Sequence, residues 1–107
     1  MNDTFLKIRL VVSTIPKGKV TTYGTIATYL GLKSSQVVGW AIKGNQDKTV
    51  PCHRVVRKDG SLAEGFSLGG NIAQQKLLET DGIIFDTPLK VDLIKYFYKV
   101  NDLFNKS

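Results

Sequence analysis

The sequence predicts an α+β domain, mainly α, with a helix-turn-helix at its core and a small β-hairpin beside it. Three observations carry this. Apolar residues recur at spacings of three and four along several segments. Two short segments of that kind are separated by a few residues that include Gly31, the layout of a helix-turn-helix. A turn at Lys58, Asp59 and Gly60 separates the pair Val55–Val56 from Leu62–Ala63, the layout of a hairpin. At 107 residues the chain suits one domain spanning residues 1–107, since single domains run from about 50 to about 250 residues.

The elements follow in order. Asn2 or Asp3 caps a first helix whose Phe5, Ile8, Val12 and Ile15 share a face, and Pro16 and Gly18 end it. Val20 and Thr21 form a short extended piece. Thr22 caps a second helix over residues 23–30 that buries Ile26, Ala27 and Leu30 and stops at Gly31. Ser34 or Ser35 caps a third helix with Val37, Val38, Ala41 and Ile42 inward, closed by Gly44. Gly39 lowers helicity in its middle, which a closely approaching helix would explain. After the loop NQDKTVP come the apolar residues 53–56 and then the hairpin turn. Residues 64–70, EGFSLGG, read as a mobile loop. Asn71 caps a fourth helix with Ala73, Leu77 and Leu78, and Gly82 lies just past its end. Residues 83–85 are extended, Pro88 sits in a turn, and Asp92 caps a last short helix through Leu93 and Tyr96.

Composition narrows the function. Hydrophobic residues make up 42% and charged residues 22%, a globular balance that needs no staples. The single cysteine forms no internal disulfide, which favours a reducing, cytoplasmic setting. One cysteine and one histidine are too few for a structural zinc site. No apolar run approaches the roughly 20 residues of a membrane span, and the first residues carry no signal-peptide pattern. The formal charge of +6 suits a polyanionic partner. By charge alone, a solvated basic surface explains it equally well.

The chemistry concentrates at VPCHRVV, residues 50–56, where the only cysteine, Cys52, adjoins the only histidine, His53. A thiol becomes a strong nucleophile once ionised, and a base within reach raises the ionised fraction. Neighbours on a strand point to opposite faces, so cooperation requires a bend, which Pro51 favours, or a bridging water. The imidazole needs a partner to fix its tautomer, and Glu79 or Asp81 could serve. The alternative is an inert core cysteine beside a structural histidine.

These residues carry a resemblance. PCHRVV resembles the active-site motif of the O6-alkylguanine-DNA alkyltransferases, also called methylated-DNA–protein-cysteine methyltransferases. Residues 15–31, IPKGKVTTYGTIATYLG, look like that family's helix-turn-helix segment. Residues 34–45, SSQVVGWAIKGN, look like its recognition helix and asparagine loop. GFSLGG and then QQKLLETDG, residues 65–70 and 74–82, look like its substrate loop and C-terminal helix. The resemblance covers about residues 5–84 and implies a winged-helix-like DNA-binding domain. It implies minor-groove binding to double-stranded DNA, rotation of O6-alkylguanine out of the stack, and irreversible, single-turnover transfer of the alkyl group to Cys52. No cofactor is implied, and the resemblance implies a monomer in the cytoplasm, associated with the nucleoid if the source is prokaryotic.

Carried over by position, Cys52 is the acceptor, His53 its base through a water, and Asp81 the residue orienting His53 where the family usually has glutamate. Asn45 shapes the active-site turn. Tyr23 sits at the rotated phosphate, and Thr22, Ser35, Gln36, Lys43 and Arg54 are DNA contacts, with Lys33 a further phosphate candidate. Val50, Phe66, Ser67 and Trp40 form the base pocket. The chain departs from the pattern in three places. Gln36 stands where an arginine usually fills the gap left by the flipped base. Phe66 replaces a tyrosine in a loop longer by one residue. The chain also resembles the family's short form, without the N-terminal domain of full-length members. Similar short relatives, the alkyltransferase-like proteins, bind the lesion without repairing it and signal to nucleotide excision repair. Most of them lack the cysteine, which this chain keeps.

Overall fold

The computed structural model describes residues 3–62 and 70–100. Helix α1 spans Asp3–Val12, strand β1 Thr21–Thr22, α2 Tyr23–Tyr29 and α3 Gln36–Lys43. A single 3-10 turn, Cys52–Arg54, leads into strand β2, Val55–Val56. Helix α4 spans Gly70–Thr80 and α5 Leu93–Tyr96. Helices dominate and the sheet is minor, as the sequence predicts. Among the described residues no helix is long and apolar enough to cross a membrane.

Two apolar clusters hold these elements. One joins α1, α2 and α3 through Ile8, Val12, Ile26, Val38, Ala41 and Ile42, and includes Cys52 and Val55. The other gathers Val20, Val56, Leu62, Leu78, Ile83 and Tyr96. Val55 and Val56 therefore face different clusters, as neighbours on a strand must. The short sheet stands between the two cores and suspends the Cys52 turn from its end.

The sheet differs from the predicted hairpin. β2 pairs with β1, in parallel, with Thr21 opposite Val55 and Thr22 opposite Val56. The turn at Lys58–Gly60 does form, with the Gly60 N–H donating to the Arg57 carbonyl at 2.8 Å. Beyond it the chain leaves β2. Ser61 bridges Lys90, and the Leu62 N–H donates to the Leu89 carbonyl at 3.0 Å. Gly60 has φ +91°, and the Val91 carbonyl packs where a β-carbon would sit. That close approach, available only to glycine, directs the chain to residues 89–91. Ala63 lies outside the described residues.

Smaller differences have local causes. α1 stops at Val12 and Ile15 is buried in the turn that follows, while Val11 joins the core unpredicted. α4 begins one residue before Asn71, and its inward positions are Gln74 and Leu78 rather than Leu77. Ser34, not Ser35, supplies the capping oxygen of α3, accepting from the Gln36 N–H at 3.0 Å. A β-carbon on Gly39 would meet nothing within 4 Å, so no helix approaches it. The caps of α2 and α5 are as predicted. Thr22 accepts from the Thr25 N–H at 3.1 Å and Asp92 from the Ile94 N–H at 3.0 Å.

Candidate active site

Pro51 bends the chain, and Cys52, His53 and Arg54 form the 3-10 turn rather than a strand. The bend frees Cys52 and His53 from the opposite-faces rule. Gln74, wholly buried, fixes this turn from α4. Its Nε2 donates to the carbonyls of His53 and Val55, each at 3.0 Å. The sequence reading missed Gln74. Its signal was a glutamine one helical turn before Leu78, on the inward stripe of α4.

Cys52 is 9% exposed, yet it lines a cavity of about 570 Å³ with His53, Asn45, Val50, Lys43 and Leu77. Sites for small molecules commonly have volumes of about 300–1,000 Å³. The Cys52 Sγ accepts a bond from Asn45 Nδ2 at 3.5 Å. The same nitrogen donates to the Asp47 carbonyl at 2.8 Å, so Asn45 ties the loop to the sulfur. Burial pushes the thiol pKa up. The Asn45 bond and the positive charge of Arg9 oppose that rise. Arg9, another residue the sequence reading passed over, donates from α1 to the Ala41 carbonyl of α3 at 3.2 Å.

His53 Nε2 lies 2.9 Å from Asp81 Oδ2. Burial lowers the His53 pKa against the opposing pull of Asp81, so the ring is neutral near pH 7. The Asp81 side chain is 8% exposed. Burial raises its pKa, but bonds from Arg54 and His53 outweigh this and hold it below the ordinary value. An ionised Asp81 accepts the Nε2 proton, which leaves His53 Nδ1 as the basic nitrogen. Of the two carboxylates considered for this place, Asp81 occupies it. Glu79 is exposed and accepts a bond from Gln75 at 3.4 Å.

Arg54 belongs to this network and not to an outer surface. Its Nε and Nη2 donate to the two Asp81 oxygens at 2.8 and 3.2 Å, and Nη1 donates to the Ile15 carbonyl at 2.9 Å. Three of its five N–H groups are thus engaged within the chain. Trp40 is also placed differently. It is 54% exposed on α3 and is not part of the cavity lining. Thr22 is buried with its hydroxyl bonded to Thr25 Oγ1 at 2.7 Å, so it serves α2 as a cap. Val50 lines the cavity. Phe66 and Ser67 lie outside the described residues. Tyr23, half-buried, opens α2, and burial raises its phenol pKa. Lys33, Ser35, Gln36 and Lys43 are exposed at or beside α3. Among the described residues no group of three or more His, Cys, Asp or Glu side chains is arranged to hold a metal ion.

The arrangement sets a thiol and an imidazole on one partly open cavity of a size that suits a heterocyclic base. Known proteins resemble the chain in sequence and fold. The family described as "6-O-methylguanine DNA methyltransferase, DNA binding domain" matches residues 3–83. Alkyltransferase-like protein 1 of Schizosaccharomyces pombe is 37% identical over 105 residues, covering 92% of this chain and 97% of that protein. A methylated-DNA–protein-cysteine methyltransferase of Pyrobaculum aerophilum is 38% identical over 107 residues, covering 98% of this chain and 70% of its own length. The crystal structure of S. pombe Atl1 with damaged DNA containing O6-carboxymethylguanine superimposes with a TM-score of 0.81 at 34% identity. That match covers 92% of this chain and 97% of the other. Other relatives are much longer, and the chain spans 31% of a bifunctional methyltransferase/endonuclease of Picrophilus torridus.

Proposed function

This chain belongs to the O6-methylguanine DNA methyltransferase family, and on that premise we propose that it repairs O6-alkylguanine in double-stranded DNA by taking the alkyl group onto Cys52. The observation that carries the reading is the placement of Cys52 and His53 on one cavity, with Asp81 holding the far side of the imidazole. The target atom of a paired guanine is out of reach inside the duplex, so the base must leave the stack, at a cost of a few kcal/mol. Lost pairing at the alkylated base lowers that cost. Tyr23 and Gln36 assist the rotation from the edge of α2 and the start of α3. Ser35, Lys33 and Lys43 hold the backbone. Val50 and the segment carrying Phe66 and Ser67 receive the base.

The chemistry balances without a cofactor. His53 Nδ1, through one water, takes the thiol proton. The thiolate attacks the alkyl carbon, so an S–C bond forms as the C–O6 bond breaks. The departing guanine takes up a proton, which replaces the one the thiol lost. The new thioether has no leaving path, and each molecule reacts once. Asp81 is shorter than the usual glutamate, and its ion pair with Arg54 supports its position beside His53. The test is a duplex bearing O6-methylguanine with a radiolabelled methyl group. The label should pass to the protein at no more than one methyl per chain and stay on the DNA with Cys52→Ala.

A second reading has its own support. The likeness to Alkyltransferase-like protein 1 covers nearly all of that protein, Gln36 replaces the usual arginine, and burial pushes the thiol pKa up, against ionisation. On this reading the chain flips and holds the lesion for excision-repair proteins and transfers nothing. Tight binding to the lesion duplex with all label left on the DNA would establish it over the first.

A further inference from the structure

One face of α3 is not used by the core. Gln36, Gly39, Trp40 and Lys43 fall at spacings of three, four and seven, a single stripe along the helix. Val38, Ala41 and Ile42 occupy the buried side. At its far end the stripe reaches the active-site cavity, because Lys43 is part of that cavity's lining.

Two features of the stripe are costly unless a partner lies on it. An exposed indole places a large apolar surface in water, and Trp40 is 54% exposed. A glycine inside a helix costs about 1 kcal/mol relative to alanine, yet a β-carbon at Gly39 would meet nothing of this chain within 4 Å. The protein's own packing therefore requires neither residue. Together they present a flat ring beside a strip of bare backbone, flanked by an amide at Gln36 and a cation at Lys43. A DNA minor groove matches that profile. Its base edges pair with glutamine, its phosphates with lysine, and its narrow floor admits an apolar side chain while needing close backbone approach. The net charge of +6 favours the same partner.

We propose that Trp40 inserts its indole into the minor groove one helical turn from Gln36. It supplies there an apolar wedge of the kind that distorts a duplex from the minor groove. This deepens the reading of α3 as the DNA-facing helix and rests on it. The contact concerns binding and duplex distortion, and it is separate from transfer at Cys52.

Trp40 is the only tryptophan in the chain, so intrinsic emission reports this one ring. The full chain is titrated with a labelled duplex bearing O6-methylguanine, recording tryptophan emission and label anisotropy together. Stacking on a nucleotide base is worth about tenfold or more in affinity by alanine substitution. Emission should be quenched with the same midpoint as the anisotropy rise, and Trp40→Ala should weaken binding about tenfold, with Trp40→Phe between. Because the ring is exposed, both variants should keep the native unfolding midpoint. Unchanged emission at saturating anisotropy overturns the proposal, and so does quenching with an unaltered dissociation constant in Trp40→Ala. An absence of any anisotropy rise removes the DNA-binding reading itself, and this inference with it.

Discussion

Asp81 is the residue on which the site's electrostatics converge. It accepts from His53 on one side and from two Arg54 nitrogens on the other. Removing one partner of a buried ion pair leaves the other charged and unpaired, at a cost of about 3 kcal/mol. Asp81→Asn should lose about that much stability at pH 7, read as a drop in the urea midpoint, and should slow transfer by releasing His53. The pH dependence has a definite sign. The Asp81 pKa is lower in the folded chain than its ordinary value. Its contribution is therefore full above the carboxylate's ordinary value of about 3.9 and fades as pH falls through the lowered one. Native and Asp81→Asn chains should differ at neutral pH and converge in strong acid. A constant difference at all pH values would mean that the lost stability comes from packing and not from charge.

Among the elements, α3 and the Cys52 turn divide between what sequence reveals and what it hides. Helix periodicity, the caps at Thr22 and Asp92, and the stops at Gly31 and Gly82 are local signals, and the elements they mark are present. The partner of β2 is not a local property. Val55–Val56 reads as half of a hairpin because a turn follows it, but burial on both faces selects the remote strand Thr21–Thr22 instead. The same limit hid Gln74, whose role depends on two carbonyls about 20 positions away. It also hid the partners of Arg54, Asp81 and the Ile15 carbonyl, which are distant in sequence. The contact between His53 and Asp81 was legible because the motif resemblance supplied the long-range pairing that spacing cannot. Gly39 gives an element-scale test. With open space around its missing side chain, Gly39→Ala should stabilise the fold by about 1 kcal/mol in urea denaturation. A loss of stability would show that this helix face is crowded after all.

For the whole molecule, the proposed function joins a basic surplus, an exposed stripe on α3 and a lined cavity in one act, in which charge holds the duplex while the base turns inward. Phosphate contacts release counterions, so the logarithm of the binding constant should fall linearly with that of salt concentration. The slope is about −0.9 per contact, and two to four contacts from Lys33, Lys43 and their neighbours would give a slope of about −2 to −4. A slope near zero would remove the electrostatic half of the account. The chemical half depends on the sulfur at position 52 and is tested most directly by mass spectrometry. After incubation with an O6-methylguanine duplex, the chain should gain one methyl group, and peptide fragmentation should place it on Cys52. An unmodified Cys52 in protein shown to be bound to that duplex would contradict the account and leave a lesion-binding protein in its place.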